Sequence, residues 1–124
     1  MDGRSVCILL VDDEEAVLEV GVMMLERMGY QVLGARSSAE AVEVYRANKD
    51  GIDLVLLDLN LRGESGADTF RRIQEIDSNV KVVLSTGCAE NQEILDIMNH
   101  GCRGMIQKPF GLKTLVEKIS LALN

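Results

Sequence analysis

Five short apolar runs punctuate the sequence, and each is followed by a segment with helical periodicity. The runs read as strands over Val6–Val11, Gln31–Ala35, Ile52–Leu57, Val80–Ser85 and Gly104–Gln107. Leu54-Val55-Leu56-Leu57 is apolar at every position, which suits a parallel sheet covered on both faces. Between Glu14 and Met28, apolar residues recur at Val17, Leu18, Met24, Leu25 and Met28, and Gly29 follows as a helix terminator. Ser37 and Glu40 have the spacing of a capping box, opening a helix that carries Val42 and Tyr45. Phe70, Ile73 and Ile76 line a third helix; Ile94, Ile97 and Met98 line a fourth that ends near Gly101. Leu112, Leu115, Val116, Ile119 and Leu123 give the fifth an inner stripe. Such alternation implies right-handed crossovers and a doubly wound α/β sheet. With no linker, repeat or low-complexity tract, residues 1–124 read as a single domain.

Composition narrows the function. Hydrophobic residues make up 47% and charged residues 27%, as in an ordinary globular protein. A net charge of −7 argues against a nucleic-acid partner, because phosphate binding needs clustered Lys and Arg. No apolar run approaches the roughly 20 residues of a membrane span, and no signal peptide opens the chain. The expectation is a cytoplasmic chain that makes no membrane contact. Cys7, Cys88 and Cys102 are odd in number and lack C-x-x-C spacing, so neither a disulfide framework nor a zinc site is expected. Cys7, inside the first strand, reads as a small core residue.

In an open α/β sheet, ligands bind beyond the carboxyl ends of the strands. Those ends carry Asp12-Asp13, Asp58, Ser85-Thr86-Gly87 and Lys108-Pro109. Each acid alone suits a helix cap or a turn. Together they do not, because two ionised carboxylates about 5 Å apart repel by roughly 3 kcal/mol at an effective dielectric near 20. A cation offsets that, and hard carboxylate and carbonyl oxygens suit Mg²⁺. A carboxylate beside Mg²⁺ can attack phosphorus, with a lysine and a hydroxyl stabilising the phosphoryl oxygens.

Asp12-Asp13, Asp58 with Asn60 and Gly66 downstream, Thr86-Gly87 and Lys108-Pro109-Phe110 stand in the order and placement that resemble the receiver domains of two-component response regulators, including those of hybrid sensor histidine kinases. The resemblance runs from Val6 to Leu123. It implies a flavodoxin-like (βα)5 fold with strand order 2-1-3-4-5. It implies that Asp58 is the phosphoacceptor and that Asp13 and Asp58 ligate Mg²⁺ (or Mn²⁺) with the backbone carbonyl of Asn60. Asp12 would act through ordered water, Thr86 would donate its hydroxyl to the phosphoryl group, and Lys108 would pair with it. The Lys108–Pro109 bond would be cis. Thr86 and position 105 would form the switch region, although Met105 stands where receivers often carry an aromatic ring. Arg62 replaces a usual proline, and Cys88 and Asn60 occupy positions that influence attack by water.

The expected partner is a histidine kinase or histidine phosphotransfer domain, with the chain monomeric or weakly dimeric, and regulatory rather than an enzyme. Three other readings stand beside it. A Mg²⁺-dependent aspartyl-nucleophile phosphatase typically has Asp-x-Asp, whereas this chain has Asp58-Leu59-Asn60. A flavodoxin would need a phosphate loop where Asp12-Asp13-Glu14-Glu15 stands, and aromatics are only 3% of the chain, too few to suit a flavin. The last is a non-phosphorylated interaction module of the same fold. His100, just before Gly101, reads as a helix C-terminal residue that favours the dipole.

Overall fold

The computed structural model describes residues 5–61, 64–87 and 92–124. Strands β1 (Cys7–Val11), β2 (Gln31–Ala35), β3 (Leu54–Asp58), β4 (Val82–Thr86) and β5 (Gly104–Gln107) form one parallel sheet ordered β2-β1-β3-β4-β5. Helices α1 (Glu15–Arg27), α2 (Ser38–Asn48), α3 (Gly66–Ile76), α4 (Gln92–Asn99) and α5 (Leu112–Leu123) alternate with them. This is the expected flavodoxin-like order. A two-residue antiparallel ribbon, Asn60–Leu61 against Glu64–Ser65, follows β3 and was not foreseen.

Strand alternation builds a core on each face of the sheet. Leu9 and Val11 of β1, Val55 and Leu57 of β3, and Val82 and Leu84 of β4 pack with Tyr45, Phe70, Ile73, Ile94 and Ile97 beneath α2, α3 and α4. The intervening Ile8, Leu10, Leu54, Leu56 and Val83 pack with Leu25, Leu115 and Ile119 beneath α1 and α5. Each fully buried side chain of this kind contributes about 1.5–3 kcal/mol of transfer free energy, and two such layers explain why the central strands are apolar throughout. Cys7 is a buried core residue, as its position in the strand implied.

Some boundaries and faces differ from expectation. β3 begins at Leu54, where its pairing with Ile8 of β1 begins, rather than at Ile52. β4 begins at Val82 because the Val80 amide turns back onto the Asp77 carbonyl. The stripes of α1 and α5 are narrower than their periodicity suggested: Val17 is 41% exposed, Leu112 48% and Val116 36%. In α5 the buried row is Leu115, Ile119 and Ala122. The capping box is half formed, since Ser37 Oγ accepts the Glu40 amide while Glu40 Oε1 accepts that of Arg36. At the end of α4, His100 Nδ1 lies 2.6 Å from the Asp96 carbonyl oxygen and Gly101 takes φ +108°, in keeping with a helix terminus. Among the described residues no helix is long and apolar enough to cross a membrane.

Gly66 starts α3 where the chain crosses close to β3. An added Cβ would lie 2.7 Å from Leu59 Cα and 2.8 Å from Leu59 O, both backbone atoms that yield only if the turn moves. Gly66→Ala should therefore lower the unfolding free energy by about 1–3 kcal/mol, the scale of overpacking. Gly104→Ala, with nothing within 4 Å of the new Cβ, should cost much less. Urea unfolding of the two variants checks this, and equal midpoints would contradict it.

Candidate functional site

The sheet order sets the ends of β1, β3, β4 and β5 side by side, with the chain leaving β1 to either side through β2 and β3. This is the switch point at which open α/β sheets place their ligands. Asp12 and Asp13 follow β1, Asp58 ends β3, Ser85 and Thr86 end β4, and Lys108 follows β5. Asp12 and Asp58 are 4% and 5% exposed, so their charges need partners.

Each of these two acids divides its oxygens between a local turn and one shared cation. Asp12 Oδ1 accepts the Glu14 amide at 3.0 Å, and its Oδ2 lies 3.1 Å from Lys108 Nζ. Asp58 Oδ1 accepts the Asn60 amide at 3.0 Å, and its Oδ2 lies 3.2 Å from the same Nζ. The cap-and-turn reading and the charge-cluster reading thus both hold, one per oxygen. Burial, helped by the Asp12 charge, pushes the Asp58 carboxyl above its ordinary pKa against the pull of the Asn60 amide and Lys108. For Lys108 burial works toward the neutral amine, but Asp58 and Asp12 outweigh it and hold the ammonium above its usual range.

Asp13, half-buried, completes a group of three carboxylates whose oxygens lie within 4.8 Å of one another. At that spacing each ionised pair repels by roughly 3 kcal/mol at an effective dielectric near 20. One ammonium cannot offset three acids, and the remaining charge with its all-oxygen donor set fits a divalent cation such as Mg²⁺. Thr86 is fully buried, and its carbonyl accepts the Lys108 amide at 2.7 Å. The Lys108–Pro109 peptide is cis. Met105 is half-buried against the core beneath α2, α3 and α4. Asn60 is exposed at the start of the ribbon. Arg62 and Cys88 lie outside the described residues.

No motif or periodicity marks the ties among the ribbon and the helices. Glu64 Oε1 accepts the Ser38 amide at 3.1 Å, Thr69 donates to Ser38 Oγ at 2.8 Å, and Ser65 Oγ lies 3.4 Å from Glu93 Oε2. These contacts connect the segment after Asp58 to α2, α3 and α4. They join residues 26 to 31 positions apart, beyond the reach of periodicity.

Comparison with known proteins agrees with this architecture. The model of the response regulator receiver domain matches residues 8–120. The chain is 32% identical over its full length to the autoinducer 1 sensor kinase/phosphatase LuxN of Vibrio harveyi, of which it spans 14%. It is 29% identical to the chemotaxis protein CheY of Treponema pallidum, covering 99% of this chain and 86% of that protein. A response regulator receiver domain protein from Clostridium thermocellum superposes with a TM-score of 0.91 at 31% identity, over 96% of this chain and 94% of that one. The chain thus spans only a small part of some curated relatives it matches.

A raised Asp58 pKa means that its ionised form opposes folding above the folded-state pKa, and that this cost vanishes as pH falls below the unfolded value. Asp58→Asn in metal-free buffer should therefore melt higher at pH 8, by roughly 2–5 °C, with the gain shrinking toward pH 4. A lower melting temperature for the variant at pH 8 would mean that the Lys108 ion pair dominates instead.

Proposed function

This chain belongs to the response regulator receiver domain family of two-component signalling, and from that premise we propose that it accepts a phosphoryl group on Asp58. The observation that carries this reading is Lys108 Nζ bridging the buried carboxylates of Asp12 and Asp58 beside Asp13. Asp58 Oδ1 is oriented by the Asn60 amide, so the other oxygen is the one presented for attack. It forms the new P–O bond as the P–N bond of a phosphohistidine breaks. The electron pair of that bond returns to the ring nitrogen, and the donor imidazole, already protonated on its other nitrogen, leaves neutral. Lys108 then follows the charge from the free carboxylate to the phosphoryl oxygens, and the Thr86 hydroxyl donates to one of them.

Asp13 and Asp58 would hold Mg²⁺, or Mn²⁺ in its place, with the backbone carbonyl of Asn60, while Asp12 acts through ordered water. Bound there, the ion supplies charge neutralisation between the attacking carboxylate and the incoming phosphate. The donor is a histidine kinase or a histidine phosphotransfer domain. Residues 1–124 act as a single receiver domain, a cytoplasmic regulatory module, either alone or within a hybrid kinase. Phosphorylation shifts an existing equilibrium through Thr86, Met105 and the face formed by α4, β5 and α5.

Incubation with acetyl phosphate and Mg²⁺, read by intact mass, tests the assignment. The expected result is a gain of one phosphoryl group that EDTA prevents and Asp58→Asn abolishes. Lys108→Ala should retain the fold but slow the reaction by at least about tenfold, the loss of one charge-stabilising group. An adduct that persists in Asp58→Asn would move the acceptor elsewhere.

A further inference from the structure

The turn that follows Asp58 is held by little of its own. Asn60 and Leu61 pair with Ser65 and Glu64 in a ribbon of two residues per strand, and an isolated two-stranded hairpin is marginal in water. Leu61 is buried and anchors one strand of the ribbon in the core. The other strand is fastened by Glu64, whose Oε1 accepts the Ser38 amide at 3.1 Å. That amide is the first of α2, so it has no acceptor within the helix. The N-cap hydroxyl of Ser37 does not serve it, because it accepts the Glu40 amide instead. Ser38 is buried, where a backbone donor without a partner is costly. A carboxylate at this end of a helix is favoured further by the macrodipole. Glu64 thus caps α2 from outside the helix, and α2 in turn holds the ribbon. Thr69 of α3 donates to the Ser38 hydroxyl at 2.8 Å, which ties α3 to the same point.

We propose that Glu64 is a positioning residue for the cation site: its bond to the Ser38 amide holds the ribbon, and through the ribbon the backbone of Asn60. Asn60 is paired with Ser65, the neighbour of Glu64, and its own amide donates to Asp58 Oδ1 at 3.0 Å. A ribbon released from α2 therefore loosens both the Asn60 carbonyl and the turn that orients Asp58. The inference rests on the reading of Asp13, Asp58 and the Asn60 carbonyl as ligands of one divalent cation. Glu64 and Asp13 line one hollow, so the Glu64 carboxylate also attracts a cation by charge alone. Substitution separates the two roles. Gln keeps the acceptor oxygen and loses the charge, whereas Ala loses both.

Glu64 is exposed, so both variants should fold. Mg²⁺ is titrated into the full ¹⁵N-labelled chain and followed by amide chemical shifts. Glu64→Ala should raise the Kd about five- to tenfold, at the low end of the roughly 10–100-fold typical of groups that orient a metal ligand, with Glu64→Gln within about twofold of the parent. In metal-free buffer, hydrogen exchange at the Ser38 and Asn60 amides should quicken in Glu64→Ala and stay near the parent rate in Glu64→Gln, with Leu56 in the central strand unchanged in both. Equal Mg²⁺ affinity in the parent and Glu64→Ala would overturn the proposal. So would a Glu64→Gln chain as weak as Glu64→Ala, which would assign the effect to charge. A parent chain without Mg²⁺-dependent shifts around Asp58 would overturn the cation reading itself, and the proposal with it.

Discussion

Two buried carboxylates share one ammonium, and the carboxyl edge of this sheet is organised around that fact. Lys108 Nζ lies 3.1 Å from Asp12 and 3.2 Å from Asp58, and the pair of contacts fixes the relative positions of β1, β3 and β5 at their ends. A single cation between two anions is only half of an electrostatic solution, because Asp13 adds a third carboxylate within 4.8 Å. The excess charge is what makes the edge receptive. A cation entering it would relieve repulsion already present, and under the proposed reading a phosphoryl group on Asp58 would find the ammonium in reach.

The fold makes this arrangement affordable. Apolar layers on both faces hold β1, β3 and β4 rigidly in register, so the acids at their ends cannot move apart to escape one another. Local turns do the rest, since the Glu14 and Asn60 amides each hold one carboxylate oxygen. The same two-layer construction leaves a cavity beside α1 and α5, which bury only narrow stripes and keep Val17, Leu112 and Val116 partly in solvent.

Much of this was legible in the residues. Continuous apolar runs such as Leu54–Leu57 signalled a sheet covered on both sides, and charged residues immediately after such runs pointed to one edge. The strand order itself came from family resemblance, since periodicity does not say which strands are neighbours. Periodicity also failed for Val17 and Val116, because it identifies an apolar face without saying how much of that face a neighbour covers. Ser85 reads as one more hydroxyl at a strand end; the structure buries it with no hydrogen-bond partner for its Oγ among the described residues. The Glu64–Ser38 contact depended on a ribbon too short to leave a repeating pattern.

The central claim is that Asp12, Asp13 and Asp58 form one cation site rather than three separate acids. Mn²⁺ titrated into the ¹⁵N-labelled protein tests it directly, because the ion's unpaired electrons broaden nearby amide signals. The account predicts that signals around Asp12, Asp13, Asp58 and Asn60 vanish first, and that Mg²⁺ restores them. Broadening spread evenly over the acidic surface, or absent from those residues, would contradict it.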